Sequence, residues 1–173
     1  MPAAVINPSS MDLSMNKPVP DSLIDYASTS VRSILHVKST LPSHKSLQPY
    51  LPDLLIFIKK LITDLELPVL TIIVCLIYVH RFKKALPKNY RTEYGTAHRI
   101  FVSSVLVASK YIDDQPLTSR RVVESVGWDV WSIKEVNRME RTFLNSLKWN
   151  LSVDRESLCS YLTELRENQH IEL

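Results

Sequence analysis

With 2 glycines against 10 prolines in 173 residues, the chain has too little turn chemistry for a many-stranded sheet and enough length for one packed domain plus tails. Its 21 basic and 18 acidic residues leave a net charge of +3, too balanced to argue for nucleic acid by charge alone. Two distant cysteines, Cys75 and Cys159, lie inside apolar helical patterns without metal spacing, and read as small buried or half-buried thiols in a reducing, intracellular setting.

Residues 1–20 carry four prolines and no hydrophobic period, and are expected to form a disordered tail. Asp21 follows Pro20 and is expected to cap a helix in which Leu23, Ile24, Ala27, Val31, Ile34 and Leu35 recur at helical spacing as far as His36. A polar, proline-marked link runs from Lys38 to Pro52. A second helix over 53–65 places Leu54, Phe57, Ile58, Leu61 and Leu65 on one stripe, with Lys59, Lys60 and Asp64 facing away. Pro68 then opens a helix from Val69 to Leu86. It is apolar for three turns and basic at Arg81, Lys83 and Lys84, which suits the negative end of its dipole. The apolar run from Leu67 to Val79 is shorter than the roughly twenty residues a membrane span needs, so a soluble chain with no membrane partner is expected.

The stretch from Ala97 to Asp114, AHRIFVSSVLVASKYIDD, is the centre of the pattern. Between Ile100 and Ile112 its one charge is Lys110, so a helix built from it has no polar face and belongs in the middle of a bundle. Asp113, Asp114, Gln115 and Pro116 form a turn. Thr118 caps a short helix with Val122, Val123 and Val126 inward, ended by Gly127. Ser132 and Glu135 stand in the capping-box relation at the start of a fifth bundle helix running to about Leu147. A last amphipathic stretch, 154–167, aligns Leu158, Tyr161, Leu162 and Leu165.

The fifth helix holds a contradiction. At about 100° per residue, Val136, Met139, Phe143, Leu147, Ile133 and Leu144 share one arc, and Glu140 falls inside it. A carboxylate in an apolar stripe is costly unless a donor or cation meets it. Lys110 is the matching oddity. Two explanations stand side by side: an ordinary intramolecular ion pair, or two charges at the mouth of a surface meant for a partner's backbone.

The run HRIFVSSVLVASKYIDD, followed by a short helix and then WSIKEVNRMERTFLNSLKWNLSV, resembles the cyclin box. More narrowly it is similar to the fungal Pcl-type cyclins, relatives of the phosphate-response cyclins and of the plant P/U-type cyclins, and LELPVLTIIVCLIYVHRFKKALP is similar to that group's second helix. The resemblance implies an all-α fold: a single five-helix cyclin box over 53–153, preceded by an N-terminal helix and linker over 21–52 and followed by a C-terminal helix and tail over 154–173. It also implies a regulatory subunit that binds and activates a cyclin-dependent kinase through the kinase's C-helix. Substrate proteins would be met through the complex. The setting implied is cell-cycle G1 progression in nucleus or cytoplasm, with a nutrient or phosphate response as the alternative. By the same resemblance Lys110 and Glu140 bind kinase backbone groups, and Tyr111, Leu144 and Trp149 are the apolar positions beside them. The first box helix lacks the Met-Arg-Ala-Ile-Leu signature of better-known cyclins.

Two rival classes make different demands on the residues. A transcription-factor-like cyclin fold gripping nucleic acid would draw on Arg81, Lys83, Lys84, Lys88 and Arg91, with Arg120 and Arg121 elsewhere. A solvated helix end and loop is the simpler reading of those charges. An enzyme would need a phosphate loop, a metal spacing or a nucleophile elbow, and the sequence has none. No enzymatic activity and no cofactor are expected.

Overall fold

The structure, a computed structural model, describes residues 18–34, 50–87 and 93–171. Those residues form seven helices and no strand: α1 (Asp21–Arg32), α2 (Leu54–Asp64), α3 (Val69–Ala85), α4 (Thr96–Ile112), α5 (Ser119–Val126), α6 (Ile133–Ser146) and α7 (Arg155–Gln169). The all-α expectation, a five-helix bundle with one helix before it and one after, holds element by element. The tail over 1–17, Leu35 and His36 of the first helix, the link as far as residue 49, and Lys88 and Arg91 of the basic cluster lie outside the described residues.

The helix starts follow from local chemistry. The Asp53 carboxylate accepts the Leu55 N–H (2.9 Å) at the start of α2, Thr118 caps α5, and Asp154 accepts the Ser157 N–H (2.8 Å) at α7. Ser132 and Glu135 complete a full capping box on α6, satisfying two otherwise orphaned donors. The first helix departs from expectation. Pro20 occupies the cap position with no side-chain bond, and Asp21 is the first helical residue. Its carboxylate pairs with Lys59 on α2 (2.7 Å) instead of capping. At the other end of α1, Arg32 pairs with Asp53 (2.6 Å). Both pairs are exposed and contribute little stability; what docks α1 is its buried stripe of Leu23, Ile24, Ala27 and Val31, which joins the same core as the bundle.

α4 sits at the centre, packed against α3 and α6 and touching α1 and α2. Every residue from Ile100 to Ser109 is buried. Its hydroxyls are satisfied locally: Ser103 donates to the Arg99 carbonyl (2.7 Å) and Ser104 to that of Phe101 (2.8 Å). The Cys75 sulfur lies 3.0 Å from the Ser104 hydroxyl. Burial pushes the Cys75 thiol up to about 12, so it is a packing residue.

The start of α4 is fixed by close approach of the segment before α2. The Tyr94 hydroxyl accepts the Leu51 N–H (3.3 Å) and donates to the Leu51 carbonyl (3.1 Å). Gly95 precedes the helix at φ 76°, and a Cβ there would stand 2.8 Å from the Leu51 side chain, so glycine serves both the turn and the contact. One turn on, His98 Nε2 bonds the Pro52 carbonyl (2.9 Å) while its ring meets Phe57 edge-on.

The carbonyl requires Nε2–H, and Nδ1 is buried without a partner among the described residues, so the fold favours the neutral ring. Burial holds its pKa below the ordinary 6.5, against the opposing pull of the Pro52 carbonyl. A depressed histidine refuses a proton that the unfolded chain accepts. Stability is therefore expected to hold above about pH 6.5 and to decline as pH falls toward the folded value. Urea midpoints measured across that window should show the decline, and His98→Gln, which keeps an N–H donor, should flatten it.

Candidate partner-binding face

Lys110 stands in the last turn of α4 and Glu140 in the middle of α6. The lysine ammonium meets both carboxylate oxygens, at 2.6 and 2.9 Å. The pair is asymmetric: the glutamate side chain is 10% exposed and the lysine side chain 43%. Glu140 thus lies in the apolar stripe of α6, among Val136, Phe143, Leu144 and Leu147. An ammonium has three donors; two are used here, and the third has no partner among the described residues. The geometry contains the intramolecular pair and leaves its cation at the surface.

Of the apolar positions suggested by resemblance, Tyr111 is 44% and Trp149 63% exposed, while Leu144 is 8% exposed. Leu144 is mainly a core residue, and the open apolar area comes from the two aromatics. Tyr111 directly follows Lys110, and its hydroxyl accepts the Val153 N–H (3.3 Å). Its ring meets buried Tyr78 edge-on. The end of α4 and the segment after α6 are thereby joined beside the Lys110–Glu140 pair.

A second polar group fixes the C-terminal turn of α4. Asp113 accepts from the Ser109 hydroxyl (2.5 Å) and from Thr71 of α3 (3.3 Å). The same Ser109 oxygen accepts the buried Leu117 N–H (2.8 Å). Asp113 is thus a structural turn residue, three positions from Lys110. Sequence reading placed the turn but missed the lock; its signal was the i,i+4 spacing of Ser109 and Asp113.

Three described members of the basic cluster are engaged within the chain. Arg81 donates to the Asn150 and Ser152 carbonyls (2.9 and 2.8 Å), Lys83 donates to the Ser33 hydroxyl (3.0 Å), and Arg120 pairs with Glu124. Among its described members the side chains of Lys84 and Arg121 have no bond to another described residue. A separate groove of about 680 Å³ lies between α4 and α6, floored by Phe82, Ile100 and Met139 and edged by Arg99, Glu135 and Arg138; none of the five residues above lines it. Among the described residues no cluster of His, Cys, Asp and Glu could hold a metal, and no helix is long and apolar enough to cross a membrane.

The model of the cyclin N-terminal domain family matches residues 23–152, from the first turn of α1 to the segment pinned by Arg81. The chain belongs to the cyclin family. Cyclins are regulatory subunits. This cyclin is 29% identical over 148 residues to PHO85 cyclin-9 of Saccharomyces cerevisiae, covering 85% of this chain and 47% of the relative. It is 28% identical over 160 residues to PHO85 cyclin-1 of the same yeast, covering 88% and 56%. It is 33% identical over 95 residues to Cyclin-P3-1 of Oryza sativa subsp. japonica, covering 55% and 38%. The chain spans about half the length of these yeast relatives. The matched region takes in α1 together with the five helices α2 to α6, and stops before α7.

The lock at the end of α4 carries a testable consequence. Ser109→Ala removes one oxygen that serves two bonds and leaves a buried N–H unpaired, which costs about 1–3 kcal/mol. The loss should appear as a lower urea midpoint with unchanged slope.

Proposed function

We propose that this cyclin binds and activates a cyclin-dependent kinase of the PHO85 type, and that the kinase's C-helix packs on the face formed by Lys110, Tyr111, Glu140, Leu144 and Trp149. The observation that carries the reading is the Lys110–Glu140 pair: its carboxylate is fixed in an apolar stripe, its cation opens to water, and the aromatics Tyr111, next to Lys110 in the chain, and Trp149, just after α6, are exposed. Charge fixed in a mostly apolar setting holds a partner's backbone dipoles better than mobile surface charge does. Tyrosine and tryptophan supply the apolar area that makes such a contact strong. The yeast relatives are named PHO85 cyclins, which supports this kinase type.

In this mechanism the chemistry belongs to the kinase. Its C-helix glutamate must swing inward to pair with the phosphate-binding lysine, and an apolar cyclin face that binds only the inward position shifts the population toward it. The cyclin contributes binding free energy and no reacting group. Its setting in this reading is cell-cycle G1 progression, in nucleus or cytoplasm, so the protein should accumulate in G1 and not in response to phosphate withdrawal.

Capture by immobilised PHO85 kinase tests the reading. Trp149→Ala should weaken capture by at least thirtyfold, the scale of an interface hot spot of about 2 kcal/mol. Glu140→Gln and Lys110→Ala should weaken it while leaving the helical circular dichroism intact. Wild-type capture by all three variants would overturn the assignment.

A further inference from the structure

Two consecutive residues after α6, Lys148 (φ 52°) and Trp149 (φ 58°), lie in the left-handed region, where a side chain crowds its own backbone. A strained pair at the surface relaxes unless its neighbours over-determine it. Upstream, the Lys148 N–H donates to the Asn145 carbonyl (3.0 Å) and the Trp149 N–H to that of Leu144 (3.1 Å), and the indole N–H reaches the Asn145 side chain (3.3 Å). Downstream, three successive carbonyls are met from one helix. Arg81 donates to Asn150 (2.9 Å) and Ser152 (2.8 Å), and the Tyr78 hydroxyl donates to Leu151 between them (2.8 Å).

What this ordering displays is an indole in water. Folding gains little from a tryptophan held on a strained backbone without being buried, whereas a partner that covers it gains a large, rigid apolar contact. We propose that Arg81 is a positioning residue for partner capture: its guanidinium sets the path of 150–152 and, through it, presents Trp149 beside Tyr111 and the Lys110–Glu140 pair. This rests on the reading that the kinase docks on that face. A planar fork suits the task, because one cation must serve two carbonyls two residues apart while lying 5.8 Å from the Tyr78 ring centroid. Lysine offers a point charge and cannot reproduce the fork.

The test uses the full chain, with hydrogen exchange read on the free protein and capture read on immobilised PHO85 kinase. In Arg81→Gln and Arg81→Lys the amides from Asn150 to Val153 should exchange at least tenfold faster than in the wild type. Capture should weaken about tenfold, or roughly 1.4 kcal/mol, in both. Tyr78→Phe removes only the middle bond and keeps the buried ring; it should move both readouts the same way by a smaller factor, and it stands in if the Arg81 variants fail to fold. Faster exchange with wild-type capture, or unchanged exchange, overturns the proposal. Trp149→Ala and Glu140→Gln run alongside: if they also capture at the wild-type level, the docking face itself is wrong, and if they lose capture while the Arg81 variants keep it, only the positioning role falls.

Discussion

The middle of α4 meets no water, and the rest of the molecule is arranged around that constraint. A helix buried on every side needs neighbours on every side, which is why α1, α2, α3 and α6 all touch it. It also cannot leave a polar group unpaired within its buried span, and Ser103 and Ser104 return their hydroxyl protons to carbonyls of their own helix. Polar chemistry emerges where the burial ends. Lys110 is the first exposed side chain after Ser109, and the ion pair, Tyr111 and the Asp113 lock follow within a single turn.

α3 does more than cover α4. Three of its residues, spaced along one helix, reach the two stretches that carry the candidate face. Thr71 meets Asp113 at the end of α4, while Tyr78 and Arg81 meet the backbone after α6. The face is therefore assembled from sequence-distant pieces and referenced to one rigid element. Side chains that looked like helix interior and helix-end charge from the sequence are its anchors.

Much of this was legible in the residues, and the exceptions share a cause. Apolar spacing marks the seven helices because burial acts locally along each one, and the same spacing puts Glu140 inside the stripe of α6. Asp21 was misread because an acidic residue after proline satisfies the pattern for a cap, while its actual partner, Lys59, lies on another helix. Arg81 read as one more charge at a basic helix end because nothing local points to carbonyls near residue 150. Tyr111 and Trp149 entered through family resemblance alone, since exposed aromatics leave no periodic trace. Leu144 has its partner-facing role from resemblance too, while its place on the apolar arc of α6 already pointed to the core, where it lies. Short-range physics shows in sequence, and long-range backbone capture by a side chain does not.

The chain has two sulfhydryls, and they differ sharply in their surroundings. Cys75 is sealed beneath α4, with burial opposing its ionised form, while Cys159 sits half-covered on α7. A maleimide fluorophore added to the native protein therefore attaches at one place. That place lies beyond residues 23–152, the stretch that matches the cyclin N-terminal domain, so the unmutated chain carries a ready handle for following association by fluorescence.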